Sequence, residues 1–134
     1  MKNIFLIFFL LISSSSFSQT IRARVLSAFT IEILDDTLKI DSSKNILKTP
    51  DPKVNITEGQ IEIIDGDTTV IYFKGIPKLS EDDELFYRFW EEASDENGLE
   101  CVVMLSHYKE GEGYLLRILY LDSETGIEMF MHPY

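Results

Sequence analysis

The chain has 134 residues, with 12 Lys and Arg against 23 Asp and Glu, a formal net charge of −11 and one cysteine. Such an acidic chain repels phosphate backbones and anionic lipid, and no clustered Lys/Arg stripe overrides the repulsion, so nucleic acid is excluded as a partner. One cysteine forms no internal bridge, and the length suits a single domain, so stability has to come from packing.

The first residues, MKNIFLIFFLLISSSSFSQT, carry Lys2, an unbroken apolar run from Ile4 to Ile12, and small residues at Ser16 and Ser18. This is the charged start, short apolar region and small-x-small site of a secretory signal peptide. The run is roughly half of the ~20 residues a membrane span needs. Cleavage is expected between Ser18 and Gln19. That divides the chain into a signal peptide, 1–18, and a single exported β-domain, 19–134, periplasmic or secreted, with no stable membrane span after cleavage. The segment resembles the export signals of Bacteroidetes-type bacteria, which often end in a short serine or alanine stretch before a mature Gln. No cysteine stands at the cleavage site, so no lipid anchor is expected.

From there the apolar pattern is mostly period two. IRARV sets Ile21, Ala23 and Val25 on one face and Arg22 and Arg24 on the other, as in a half-buried strand near a sheet edge. TIEIL and TLKI come next, separated by Asp35 and Asp36. The stretch from Asp41 to Glu58, with Pro50 and Pro52, reads as a long connection. The strongest local signal is QIEIIDGDTTVIYF. A two-residue loop at Asp65-Gly66 sets Ile61 opposite Val70, Glu62 opposite Thr69 and Ile63 opposite Thr68, giving one largely apolar face.

SEDDELFYRFWEEAS is ambiguous. Ser80 suits an N-cap, and Leu85, Phe86, Phe89, Trp90 and Ala93 have helical spacing. The same residues are rich in β-favouring aromatics and run straight into the turn DENG. Agreement with the glycine turn and the strand pattern downstream of it favours the strand, with Trp90 pairing near Val103 and Met104. DENG (95–98) and SETG (123–126) each suit a type I turn closed by a left-handed glycine, and KEGEG (109–113) makes a longer loop that sets Tyr108 opposite Tyr114. Four antiparallel strands from about Leu85 to Met131 are implied. The fold class is therefore all-β, an antiparallel meander of about 8 strands forming a small barrel or sandwich. The alternative is α+β, with a helix at about 81–93. The order of aromatic cluster, acidic Asn-Gly turn and Cys-containing apolar strand is similar to that of small exported proteins of Bacteroidetes-type bacteria. That resemblance implies consecutive strands here and brings no activity with it.

Chemistry is sparse. The Tyr108–Tyr114 register places Cys101 opposite Leu121 and on one side with Leu99, Val103, Leu105 and Leu119, where desolvation and adjacent Glu100 disfavour the thiolate. Cys101 is read as a small buried hydrophobe. His107 closes the same strand as a rim residue of a pocket, and His132 lies near the C-terminus. Neither belongs to a metal-ligand spacing, and Cys101 and His107, six apart on a strand, stand roughly 20 Å apart. No nucleophile elbow, P-loop or GxGxxG occurs. The acids at Asp65 and Asp67, at Asp95 and Glu96, and from Glu81 to Glu84 are explained by turns and a solvated surface. Thr37 and Thr68, in DTL and DTT, resemble O-glycan acceptors of exported Bacteroidetes-type proteins.

The aromatics Phe86, Tyr87, Phe89 and Trp90, with Tyr114 and Tyr120, form either the core or the wall of a ligand cavity. No catalytic, cofactor-binding or metal residue is assigned. The expected function is an exported, non-catalytic interaction or ligand-binding β-module with an acidic surface. Its partner would be an envelope or extracellular protein or a small apolar ligand. The alternative is a small exported hydrolase using carboxylates or His107.

Overall fold

The structure, a computed structural model, describes residues 20–134; the expected signal peptide and its cleavage site lie outside the described residues. Alternation of apolar and polar side chains is realised as ten strands: β1 (Ile21–Leu34), β2 (Thr37–Asp41), β3 (Lys53–Ile56), β4 (Gln60–Asp65), β5 (Asp67–Phe73), β6 (Lys78–Glu81), β7 (Leu85–Asp95), β8 (Glu100–Tyr108), β9 (Tyr114–Tyr120) and β10 (Thr125–Pro133). All pairings are antiparallel. The order β10-β9-β8-β7-β5-β4-β3-β1 is closed by a β1–β10 pairing, so eight strands make a ring, and β2 and β6 attach to β1 and β7 outside it. The fold is all-β and antiparallel, as expected, with ten strands where about eight were expected. The ring closure is consistent with the expected small barrel or sandwich, and residues 85–95 are strand. Trp90 pairs with Val103 and Phe89 with Met104.

Two long strands make the closure work. β1 pairs with β10 along one edge, and on the other with β3 over Ile21–Arg24 and with β2 over Thr30–Leu34. β7 likewise pairs with β8 on one edge and shares the other between β6 and β5. Each carries a bulge, between Val25 and Ser27 in β1 and between Trp90 and Ala93 in β7. An extra residue reverses which parity faces inward. Val25 and then Ala28 are buried in β1, and Trp90 and then Ala93 in β7, all within one core cluster. Inward rows run around the ring. One joins Arg88, Leu105, Leu116, Met129 and Ala28; the next joins Phe86, His107, Tyr114, Met131 and Val25.

Several local expectations are corrected. β1 lies in the middle of the sheet, with partners on both edges of the IRARV segment. The supposed connection 41–58 contains β3, because Val54 and Ile56 complete the core beside Ile61 and Ile63. Around Gly66, whose φ is 81°, Asp65 pairs with Asp67, which sets Ile61 opposite Ile71, Glu62 opposite Val70 and Ile63 opposite Thr69. The shift by one residue buries Ile71 beside Ile61. At KEGEG, His107 rather than Tyr108 faces Tyr114, so Cys101 faces Tyr120. Leu119, opposite Val102, then points away from Cys101, and Leu99 is exposed.

DENG forms as expected: Gly98, at φ 81°, donates to the Asp95 carbonyl. In SETG the left-handed residue is Glu124, φ 55°, while Gly126 lies in β10, where a Cβ would overlap the Ile118 carbonyl oxygen. Ser80 is no cap. It sits in β6 opposite Tyr87.

Candidate functional site

Each end of the barrel holds a hollow. At the first end, a strap of residues 45–52, joining β2 to β3, crosses the interior between the splayed neighbours of β1. The Asn45 side-chain oxygen accepts from the amides of Ala28 and Leu47, Ile46 N donates to the Ala28 carbonyl, and Val25 N donates to the Pro52 carbonyl. Asp65, at the end of β4, accepts from Lys48 N at 2.8 Å and from Thr49 N and Oγ1 at 2.8 and 2.7 Å. Burial opposes the charge on Asp65, but the Thr49 and Lys48 donors prevail, and its carboxyl lies below the ordinary aspartate range.

Beneath the strap is a cavity of about 300 Å³. Ile46 and Leu47 roof it, Ala28, Ile63, Ile71, Ile118 and Met129 wall it, and Tyr120 and Ile127 stand at its side. Lys48, Asp65, Asp67, Thr69 and Tyr120 add polar groups to its lining. The Tyr120 hydroxyl is pushed up to about 12 by burial and by the charge of Asp95 beside it, so it stays a neutral donor. The volume lies at the lower end of ligand-binding cavities, roughly 300–1,000 Å³.

At the second end, β6, β7, β8 and β9 frame a hollow of about 220 Å³ lined by Leu79, Phe86, Arg88, Leu105, His107 and Tyr114, with Ser80 and Tyr87 at its border. His107 stacks on Tyr114, ring centroids 4.5 Å apart. Lys109 lies 5.0 Å from the centre of the Phe86 ring and pairs with Glu81 at 2.9 Å. Asp82 organises the β6–β7 turn, accepting from Glu84 N, Leu85 N and the Tyr87 hydroxyl. The Tyr87 hydroxyl first, and then the two amides, hold the Asp82 carboxyl below its ordinary range.

The residues singled out in the sequence are thus divided between the ends. His107 is a rim residue, as expected. Cys101 is completely buried, and desolvation first, then the charge of Asp95 rather than Glu100, pushes its thiol up to about 11. The aromatic cluster splits. Trp90 stacks on Phe73 in the core at 4.0 Å, Phe86 and Tyr114 line the open end, Tyr120 flanks the strapped cavity, and Tyr87 and Phe89 fall on the opposite parity from Trp90. The carboxylates do not converge. Among the described residues no group of three or more His, Cys, Asp or Glu is placed to hold a metal ion.

Arg88 was missed by sequence reasoning, although its signal was present: two residues before an inward Trp90 on a strand, it shares that side. Comparison with protein families, with curated proteins and with solved structures found no match.

Proposed function

We propose that this protein is an exported, non-catalytic binding module whose closed β-barrel holds a small apolar ligand beneath the strap of residues 45–52. The observation that supports it is the cavity of about 300 Å³, lined chiefly by aliphatic side chains. Transfer of an apolar body from water into such a space is favourable by about 25 cal/mol per Å² buried, and the Thr69 hydroxyl offers a hydrogen bond to a single polar end. The strap is held by hydrogen bonds from backbone amides and by Ile46 and Leu47 packed against the core. Periplasmic or extracellular location belongs to the same proposal and rests on the sequence of residues 1–18. Support for a hydrolase is weaker, because the hollow that contains His107 has no carboxylate among its lining residues.

The neutral fluorophore 1-N-phenylnaphthylamine tests this reading. Its emission should rise saturably on titration with the protein, and Ile127→Trp, which fills the cavity from the side, should abolish the rise while circular dichroism stays unchanged. No saturable signal, or equal binding by Ile127→Trp, would overturn it.

A further inference from the structure

Arg88 stands in a row made for the core. Its cross-strand neighbours Leu79 and Leu105, and beyond them Leu116, Met129 and Ala28, are all apolar, and the last four are buried. Of the other three arginines, Arg24 pairs with Asp51 at 2.9 Å and Arg117 with Glu128 at 2.5 Å, while Arg22 is exposed to solvent. Among the described residues no carboxylate pairs with Arg88. A half-buried guanidinium without a counter-charge is disfavoured, and an anion seated against it removes the penalty. The surroundings are suited to one. No acid is among the lining residues; beside the hollow Glu81 pairs with Lys109, and Asp82 is engaged by the Tyr87 hydroxyl and by the amides of Glu84 and Leu85.

We propose that this end of the barrel is a binding site for a small aromatic carboxylate. The planar N–H fork of Arg88 matches the two oxygens of a carboxylate, and an imidazole N–H of His107, one row further out, donates a second bond. The ring of the ligand lies against Phe86 and Tyr114, which stand on either side of His107 in the same inward row. A volume of about 220 Å³ admits a body of this size and little more. One guanidinium and one imidazole serve a monoanion; a phosphate would call for more donors.

The experiment is a titration of the isotope-labelled protein with phenylacetate, followed by amide resonances, beside its neutral isostere phenylacetamide and inorganic phosphate. Phenylacetate should shift the amides of Phe86, Arg88, His107 and Tyr114 saturably, and phenylacetamide should bind about tenfold or more weaker. Arg88→Met, which keeps the apolar stem, should lose about ten- to a hundredfold in affinity, as expected for a charge-assisted pair of hydrogen bonds. If that variant does not fold, Arg88→Lys, which keeps the charge but not the fork, should bind about tenfold weaker. Ile127→Trp, at the other end, should bind phenylacetate normally, which separates this site from the apolar cavity. Equal affinity for acid and amide, wild-type binding by the arginine variant, or phosphate binding as tightly as phenylacetate would each overturn the proposal.

Discussion

At one end of the barrel a strap is tied by Asn45 and Asp65, whereas at the other β7 runs on beyond its pairing with β5, flanked by β6, and Arg88 and His107 line a smaller hollow. The first end is closed by partners 16 and 17 residues apart in sequence, through a carboxylate that no ladder position requires. The second is held by the Asp82 turn, which reaches to Tyr87, and by Lys109, whose amide donates to the Glu84 carbonyl and whose ammonium pairs with Glu81. The same ring therefore supports an aliphatic cavity beside the strap at one end and an aromatic hollow containing Arg88 and His107 at the other.

The largest effect is expected at the strapped end. Gly126→Ala pushes a methyl group into the backbone of Ile118 and should destabilise the fold by about 3 kcal/mol, read by urea denaturation. A change under about 0.5 kcal/mol would show that β9 and β10 separate without penalty. Asp65→Ala should come next, at about 1 kcal/mol after allowance for its partial exposure, with faster hydrogen exchange confined to the strap amides of Lys48 and Thr49. Asp82→Ala should leave those amides unchanged and loosen the β6–β7 turn instead. If both variants loosened both ends, the ends would not be independent.

Acid titration sharpens the same contrast. The folded-state values of Asp65 and Asp82 are depressed, so each contributes stability that is complete above the ordinary carboxylate range and is lost as pH falls through the lowered value. Strap protection should persist at neutral pH and vanish only below that range; loss near pH 6 would contradict the assignment. Cys101→Ala should cost about 1 kcal/mol, and the folded wild type should react with a thiol reagent far more slowly than the denatured chain. Ser80→Ala, exposed on β6, should change stability by less than about 0.5 kcal/mol, where loss of a helix cap would cost about 1.

Much of the second half of the fold was legible, because its information is local. Gly98 requires a left-handed turn, the apolar residues of β8 and β9 alternate, and the aromatics of β7 lead into them without interruption. What escaped depends on distant partners. Closure joins Ala23 to Pro133, and nothing within either segment announces the other. The Asp65-Gly66 register is set in part by Lys48 and Thr49, which hold Asp65 from outside the hairpin. Period-two reading also fails across the two bulges, where inward parity reverses. The site divides in the same way. His107 was recognisable as the end of an apolar strand, whereas the cavity needs the strap, β1, β4, β5, β9 and β10 together.

The two strands outside the ring have a consequence for how copies of this chain meet in a crowded compartment. A closed barrel offers no free backbone to a neighbour, yet β2 and β6 each pair on one side only and reopen an unpaired edge. Their lengths, five and four residues, are too short to seed an extended cross-β stack, and Lys39 and Asp41 on one, Lys78 and Glu81 on the other, place charges along them. The fold thus limits the edges that β2 and β6 expose to two brief, charged ribbons.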